Sequence, residues 1–231
     1  MVRSSSRGRE SPCFISSLNF RRWTLTMKPH SSMAGKLSQV RVTSYPEDSG
    51  DYVTLLSVSQ SWTDHVAGDI VDLVIDRIHD EFVSDMSRVD GETTFENATA
   101  QAMRLADQLL ADAQLMGSLL FLSCKRGVVR ISGVGWARVW VHAKEKWQLV
   151  VPPTALDIGE LPANILTSSL GSGQIDARLL SISLQDSECD ELIATVDWKV
   201  PSVEQLVSHL DTIRTGSFNE SLVTVFALRS Q

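Results

Sequence analysis

Residues Leu55 to Asp69 read LLSVSQSWTDHVAGD, and a change of pattern inside this stretch governs everything around it. The apolar run Tyr52 to Val58 is strand-like. Polar Ser59-Gln60-Ser61 breaks it, Trp62, Thr63, Asp64 and His65 follow, and the small residues Val66-Ala67-Gly68 lead into a different period. From Ile70 the apolar residues recur at Val74, Ile78, Phe82 and Met86, with Val71 and Ile75 beside them, which is the i, i+4 stripe of a helix packed on a core. A strand, a tight polar turn and a buried helix form a common setting for a site, because loops held by a rigid scaffold carry the working side chains.

Downstream, Thr93 and Glu96 have capping-box spacing, and Ala98, Ala102, Leu105, Leu109 and Ala113 predict a second helix. Gly117 then opens a set of short strands over Ser118 to Ser123, Val128 to Ser132, Trp136 to His142 and Trp147 to Val151. Turn signals at Lys125-Arg126-Gly127 and Lys144-Glu145 separate them, so the expectation is an antiparallel meander. After a loop rich in Pro, Gly and Ser (Pro152 to Gly173), strands recur at Arg178 to Leu184, Glu191 to Val196 and Leu222 to Leu228. Between the last two, Ser202 and Gln205 can cap a helix carrying Val203, Leu206, Val207, Leu210 and Ile213. Two long helices, many antiparallel strands and a late helix predict an α+β sandwich.

In this order the segments from Val40 to Leu228 resemble the PPM family, the metal-dependent type 2C serine/threonine protein phosphatases. The family's first motif, similar to V-A-D-G-x-G-G-H-x-x-G-E before a long helix, corresponds to Val58 through Asp69, where His65, Gly68 and the acid Asp69 agree. Its metal-bridging Asp becomes Gln60, and the following Gly becomes Ser61. Gly117-Ser118-Leu119 resembles its G-S/T-T strand start, and Val134-Gly135-Trp136-Ala137-Arg138 its V-G-D-S-R segment with Trp136 for the acid. Pro152-Pro153-Thr154 and Leu170-Gly171 look like its P-H-x loop and L-G segment. Cys189 to Trp198 is similar to its G-D-x-L-L-L-x-T-D-G, keeping Asp197 but placing Trp198 where the family has Gly. Gly216-Ser217 followed by Glu220-Ser221-Leu222-Val223 resembles its last motif, and Pro46-Glu47-Asp48 can stand for its N-E-D, although Arg41 is not at the family's spacing.

The resemblance implies a PPM-type antiparallel β-sandwich flanked by helices, and it also implies what is missing. Family members hold two divalent ions about 4 Å apart, which activate a water for attack on a phosphate ester. A carboxylate bridges the ions because its charge offsets their repulsion, whereas Gln60 is neutral with one weak acceptor oxygen. A ligand set reduced to Asp48, Asp197 and Glu220 leaves too little charge for hard cations, so the expectation is no binuclear centre and no cofactor. Three tryptophans, Trp62, Trp136 and Trp198, fall inside motif positions, which suggests a cleft that is filled rather than open.

Other readings stand beside these. Asp64 and His65 admit a relocated single-metal site, or simply a hydrogen-bonded histidine at a helix start. Period two places Trp136, Arg138, Trp140 and His142 on one strand face and Ala137, Val139 and Val141 on the other. That face reads either as a docking stripe with Arg138 stacked between indoles, or as a packed face of ordinary cross-strand pairs. No G-x-S-x-G elbow, no Cys recognisably paired with His and no phosphate-binding Gly loop is present, since Gly133-Val134-Gly135 leads from strand to strand. Asp72, Asp76, Asp80 and Asp85 read most simply as solvated helix surface.

The chain has 231 residues and 43% hydrophobic content, enough for one domain with a substantial core. Cys13, Cys124 and Cys189 are odd in number and widely spaced, which fits reduced thiols and a cytoplasmic protein. No apolar run reaches the length of a membrane span. Residues 1–32 set six basic residues against Glu10, a net +5 that leaves the rest of the chain at −12 from a total of −7. So acidic a body repels nucleic-acid phosphates. The domain boundaries expected are a basic, Ser/Arg-rich extension over 1–36, disordered or targeting, and a phosphatase-like domain over 37–231. The extension's composition also suits an organellar transit peptide, and translation from Met27 or Met33 is a further alternative.

Taken together, these readings predict a catalytically inactive type 2C phosphatase-like domain acting as a protein-binding or regulatory module, docking a protein through Trp62, Trp136, Arg138 and Trp198. One alternative is a weak metal-dependent phosphoserine/phosphothreonine phosphatase that recruits Mn²⁺ or Mg²⁺ through Asp48, Asp64, Asp197 and Glu220. Another is a structural subunit of a larger assembly. Partner identity and oligomeric state are not legible in the sequence.

Overall fold

The computed structural model describes residues 16–19, 24–27, 36–45, 50–59, 68–87, 94–125, 127–154, 169–172, 180–185, 191–196, 203, 204, 207 and 226–229. Strands β1 (Ser16–Asn19), β2 (Thr24–Met27), β3 (Lys36–Tyr45) and β4 (Gly50–Ser59) precede helices α1 (Gly68–Ser87) and α2 (Phe95–Asp112). Then come β5 (Met116–Lys125), β6 (Val128–Val134), β7 (Arg138–Ala143), β8 (Lys146–Val151), β9 (Leu180–Gln185), β10 (Glu191–Thr195) and β11 (Phe226–Arg229).

Alternation along the strands builds three layers. On β4, Tyr52, Leu56 and Val58 join Ile75, Ile78 and Phe82 of α1 and Ala102, Met103 and Leu110 of α2, whereas Val53 and Leu55 face the opposite way. The first sheet, in the order β3-β4-β5-β6-β9, thus carries the helices on one face. Its other face packs on a second sheet, in the order β1-β2-β11-β10-β7-β8, through Leu120, Leu122, Ile131, Val139, Val141, Leu192 and Ala194. Every named strand pair is antiparallel. Phe82 centres the helix-side core, with ring centroids 5.8 Å from Tyr52, 6.0 Å from Phe95 and 4.7 Å from Phe121.

Several expectations change. The segments from Gly117 to Val151 form two hairpins in different sheets rather than one meander: β5 pairs with β6, and β7 with β8. The chain changes sheets at Gly135-Trp136, so that Val129 and Ile131 of β6 and Val139 and Val141 of β7 meet in the core between the sheets from its two sides. Trp136 accordingly lies in a turn, and β7 begins at Arg138. The N-cap of α2 is Thr94, one residue after the expected one, with its hydroxyl accepting from the Asn97 N–H at 3.3 Å. Strand β3 has no counterpart in the sequence reading. The segment 1–36 contains β1 and β2, which pair with each other and, through Thr26 opposite Ala227, extend the second sheet beyond β11. A hairpin there covers what would otherwise be an open strand edge. Of the expected late helix, Val203, Glu204 and Val207 are described and helical. No helix among the described residues is long and apolar enough to cross a membrane.

The end of α2 sets up the site. Gln114 takes φ +57°, the Leu115 N–H donates to Leu110 O at 2.8 Å, and the Gln114 N–H donates to Ala111 O at 3.0 Å. This is a Schellman closure with glutamine in the left-handed position usually held by glycine. It drives Leu115 into the core beside Leu110 and aims the chain directly into β5.

Candidate functional site

Five of the motif segments converge at one end of the sandwich. Register places Val58 opposite Gly117 and Ser57 opposite Ser118, so the end of β4 borders the start of β5. The Ser118 hydroxyl accepts from the Trp136 N–H at 2.9 Å, tying the sheet-crossing turn to that strand. Gly135 has φ +78°, and a Cβ there would lie 2.4 Å from Ser118 Oγ, so the close approach of turn and strand requires glycine. The Gly135 N–H donates to Thr154 Oγ1 at 2.8 Å, while the Thr154 N–H donates to Gly135 O at 2.9 Å. Gly117 and Leu170 exchange two backbone hydrogen bonds, at 3.1 and 3.0 Å. Gly171, at φ +87°, donates its N–H to Asp107 Oδ1 at 2.7 Å.

Trp136 is half-buried on this rim, with the Arg138 guanidinium carbon 5.5 Å from its ring centroid and Arg138 Nη1 donating to Trp136 O at 3.4 Å. Arg138 lies opposite Thr195, so the end of β10 comes to the same rim. Gln60 follows Ser59 and Asp197 follows Val196 in the sequence, directly after two of the strand segments that border the cluster. Asp48, Gln60, Ser61, Trp62, Asp64, His65, Asp197, Trp198 and Glu220 themselves lie outside the described residues.

The four-residue face of the expected docking stripe divides. Trp136 belongs to the turn. Trp140 lies between Leu149 and Ile193 and is 9% exposed, and His142 packs its ring on Trp147, its cross-strand partner, at 5.1 Å. The arginine–indole contact of Trp136 and Arg138 therefore sits at the rim, and the remainder forms cross-strand pairs. Among the described residues no group of three His, Cys, Asp or Glu side chains is placed to hold a metal ion. Of the motif-acid positions among the described residues, Asp69 stands in the first turn of α1, and the other carries the indole of Trp136, which supplies no ligating oxygen.

A second polar cluster lies between β3, β4 and α1. Arg41 bonds Asp72 at 3.0 Å and also pairs with Asp76, so it is tied to the helix, and two of the acids expected as solvated surface are ion-paired. His79 is buried, with Nε2 2.8 Å from Thr43 Oγ1 and Nδ1 2.9 Å from Thr54 Oγ1. Burial lowers its pKa to about 4, with Arg41 acting in the same direction and Asp80 and Asp76 opposing. Asp85 is buried as well, contrary to the solvated-surface expectation. Asp107, which fixes the Leu170-Gly171 segment, was not anticipated. An acid next to Ala106 and within a turn of Met103 and Leu110, on the buried side of α2, is the signal that marks it.

No family model and no curated protein matches this chain. Solved structures do. A serine/threonine phosphatase of S. agalactiae superposes with a TM-score of 0.64 at 12% identity, covering 90% of this chain and 98% of that one. A serine/threonine phosphatase from Staphylococcus aureus gives 0.60 at 14% identity, covering 99% of each chain. A serine/threonine phosphatase of Mycobacterium tuberculosis gives 0.53 at 8% identity, covering 85% and 99%. The chain has the α+β fold of the PPM-type phosphatases.

Proposed function

We propose that this chain, built on the PPM-type fold, is a phosphatase-like domain without phosphatase chemistry, serving inside the cell as a protein-binding or regulatory module. The observation that carries this reading is the Trp136 rim. The scaffold of the motif persists in the Ser118, Gly135 and Thr154 hydrogen bonds, while the side chain standing for the acid is an indole capped by Arg138. Gln60 in place of a bridging carboxylate supports the same reading, because a neutral amide does not offset the repulsion of two dications. What this rim can do is recognise. A guanidinium held against an indole is a rigid amphipathic surface of the kind that anchors protein interfaces. On this reading Trp62, Trp136, Arg138 and Trp198 dock a protein partner without turnover.

Calorimetric titration of Mn²⁺ and Mg²⁺ into the full chain, with hydrolysis of a generic phosphate ester followed in parallel, tests the proposal. The expected outcome is no saturable binding at millimolar metal and no turnover. Metal-dependent hydrolysis that disappears in an Asp197→Ala variant would overturn it.

A further inference from the structure

The helix layer has a surface of its own, on the side of α1 and α2 away from the sheets. Phe82 near the end of α1 touches Phe95 at the start of α2. At the other end of α2, Leu110 lies against Gly117, which is opposite Val58 and so close to where the chain leaves β4 for α1. The two helices therefore run antiparallel, side by side. At about 1.5 Å per residue, Leu73 and Ile70 lie about 14 and 18 Å back from Phe82, and Leu105 and Leu109 about 15 and 21 Å on from Phe95, which sets the four level. Arg41 and Thr43 of β3 meet Asp72, Asp76 and His79, which fixes the flank of α1 turned to that strand. Ile70 falls on the opposite flank, toward α2, and Leu73 on the crest between. Both are exposed, Ile70 at 46% and Leu73 at 64%. On α2, Leu105 and Leu109 follow Phe95, Ala98 and Ala102 at spacings of three and four, on the ridge turned to α1, and both are half-buried. Together the four line an apolar groove between the helices.

Its border is acidic. With His79 neutral, α1 has six acids against Arg77 and α2 three against Arg104, so the two helices carry −5 and −2, together equal to the −7 of the whole chain. Asp69, Asp76 and Asp80 are exposed along the crest beside Leu73.

We propose that this groove docks a basic amphipathic helix of a partner protein, its apolar side chains on Ile70, Leu73, Leu105 and Leu109 and its lysines or arginines among the carboxylates. A helix fits because two neighbouring helices, with axes about 8–10 Å apart, seat a third along the furrow between them. Charge selects the partner: the −7 on each chain sets a second copy against the first, and the same sign draws a basic segment. The inference stands whether or not the rim at Trp136 binds anything.

Fluorescence anisotropy of a labelled peptide of lysine, alanine and leucine, with its leucines at i, i+3, i+4 and i+7, titrated with the full chain, tests this beside the same peptide carrying glutamate for every lysine. The lysine peptide alone is expected to bind at micromolar chain, and more weakly as salt is raised. The double change Ile70→Ser with Leu73→Ser removes apolar contact and leaves every charge in place, so it should weaken binding about tenfold at unchanged circular dichroism. Binding that this double variant leaves intact would be attraction of charges only and would overturn the proposal, as would no binding at submillimolar chain. A sedimentation mass above that of a single chain, lost in the same variant, would assign the groove to a second copy and overturn it as well.

Discussion

Replacing His79 with glutamine should flatten the stability of this protein between pH 7 and pH 5. The imidazole is 5% exposed and faces a threonine hydroxyl at each nitrogen. The neutral ring meets them with one donor and one acceptor, roles that hydroxyls can match, whereas the cation has two donors and must shed its hydration. Burial accordingly holds the folded pKa near 4. The ordinary value is about 6.5, so between these limits the unfolded chain binds a proton that the folded chain refuses. Stability from this group is complete above pH 6.5, falls by about 1.4 kcal/mol per unit as the pH drops, and levels off below about 4. At pH 5 the loss is about 2 kcal/mol. Urea unfolding of parent and His79→Gln at pH 7.5, 6 and 5 measures it, because carboxylate titrations shared by the two proteins cancel in the difference. The parent's advantage should shrink by about 2 kcal/mol across that range. An advantage that stays constant would show that His79 is not held neutral by the fold, and the reasoning would fail.

Gly135→Ala should cost at least about 2 kcal/mol, since it combines a left-handed φ with overlap against Ser118, and urea midpoints will show it. Asp107→Ala leaves the Gly171 N–H without its acceptor and should cost about 1–3 kcal/mol, part of which Asp107→Asn recovers in the same assay by keeping an oxygen there. The β7–β8 turn holds Lys144 at φ +51° and Glu145 at φ +65°, the geometry of a two-residue hairpin that favours Asn-Gly. The double change Lys144→Asn with Glu145→Gly should therefore raise stability by about 1 kcal/mol, read as a higher thermal midpoint, and a lower midpoint would contradict this account of the turn.

Legibility followed periodicity. β4 and α1 were readable because Leu55, Ile75 and Ile78 repeat with the period of their element and are fully buried. The change of sheet was not, because Val129 and Ile131 before it and Ala137, Val139 and Val141 after it share one parity and serve the same core between the sheets, so pattern alone does not mark the crossing. The Schellman turn hid because Gln114 carries no glycine signal. At the site, Gly117, Ser118, Gly135, Leu170 and Gly171 were recognised as motif fragments, but of Asp107 only its place on the buried side of α2 was legible, since its partner is a backbone N–H distant in sequence.

The crossing at Gly135-Trp136 binds motif and architecture together. The same few residues floor the rim and hinge one sheet to the other: Gly135 admits the strand, Ser118 holds the turn, and Thr154 fastens it from the other side. They are masonry first, holding the architecture of this chain whatever its trade. Their presence therefore testifies to the building and is silent about the business inside. Trp136 is held at Ser118 through its backbone, and its side chain meets Arg138 instead of that scaffold, so a different side chain can be written there without disturbing the walls.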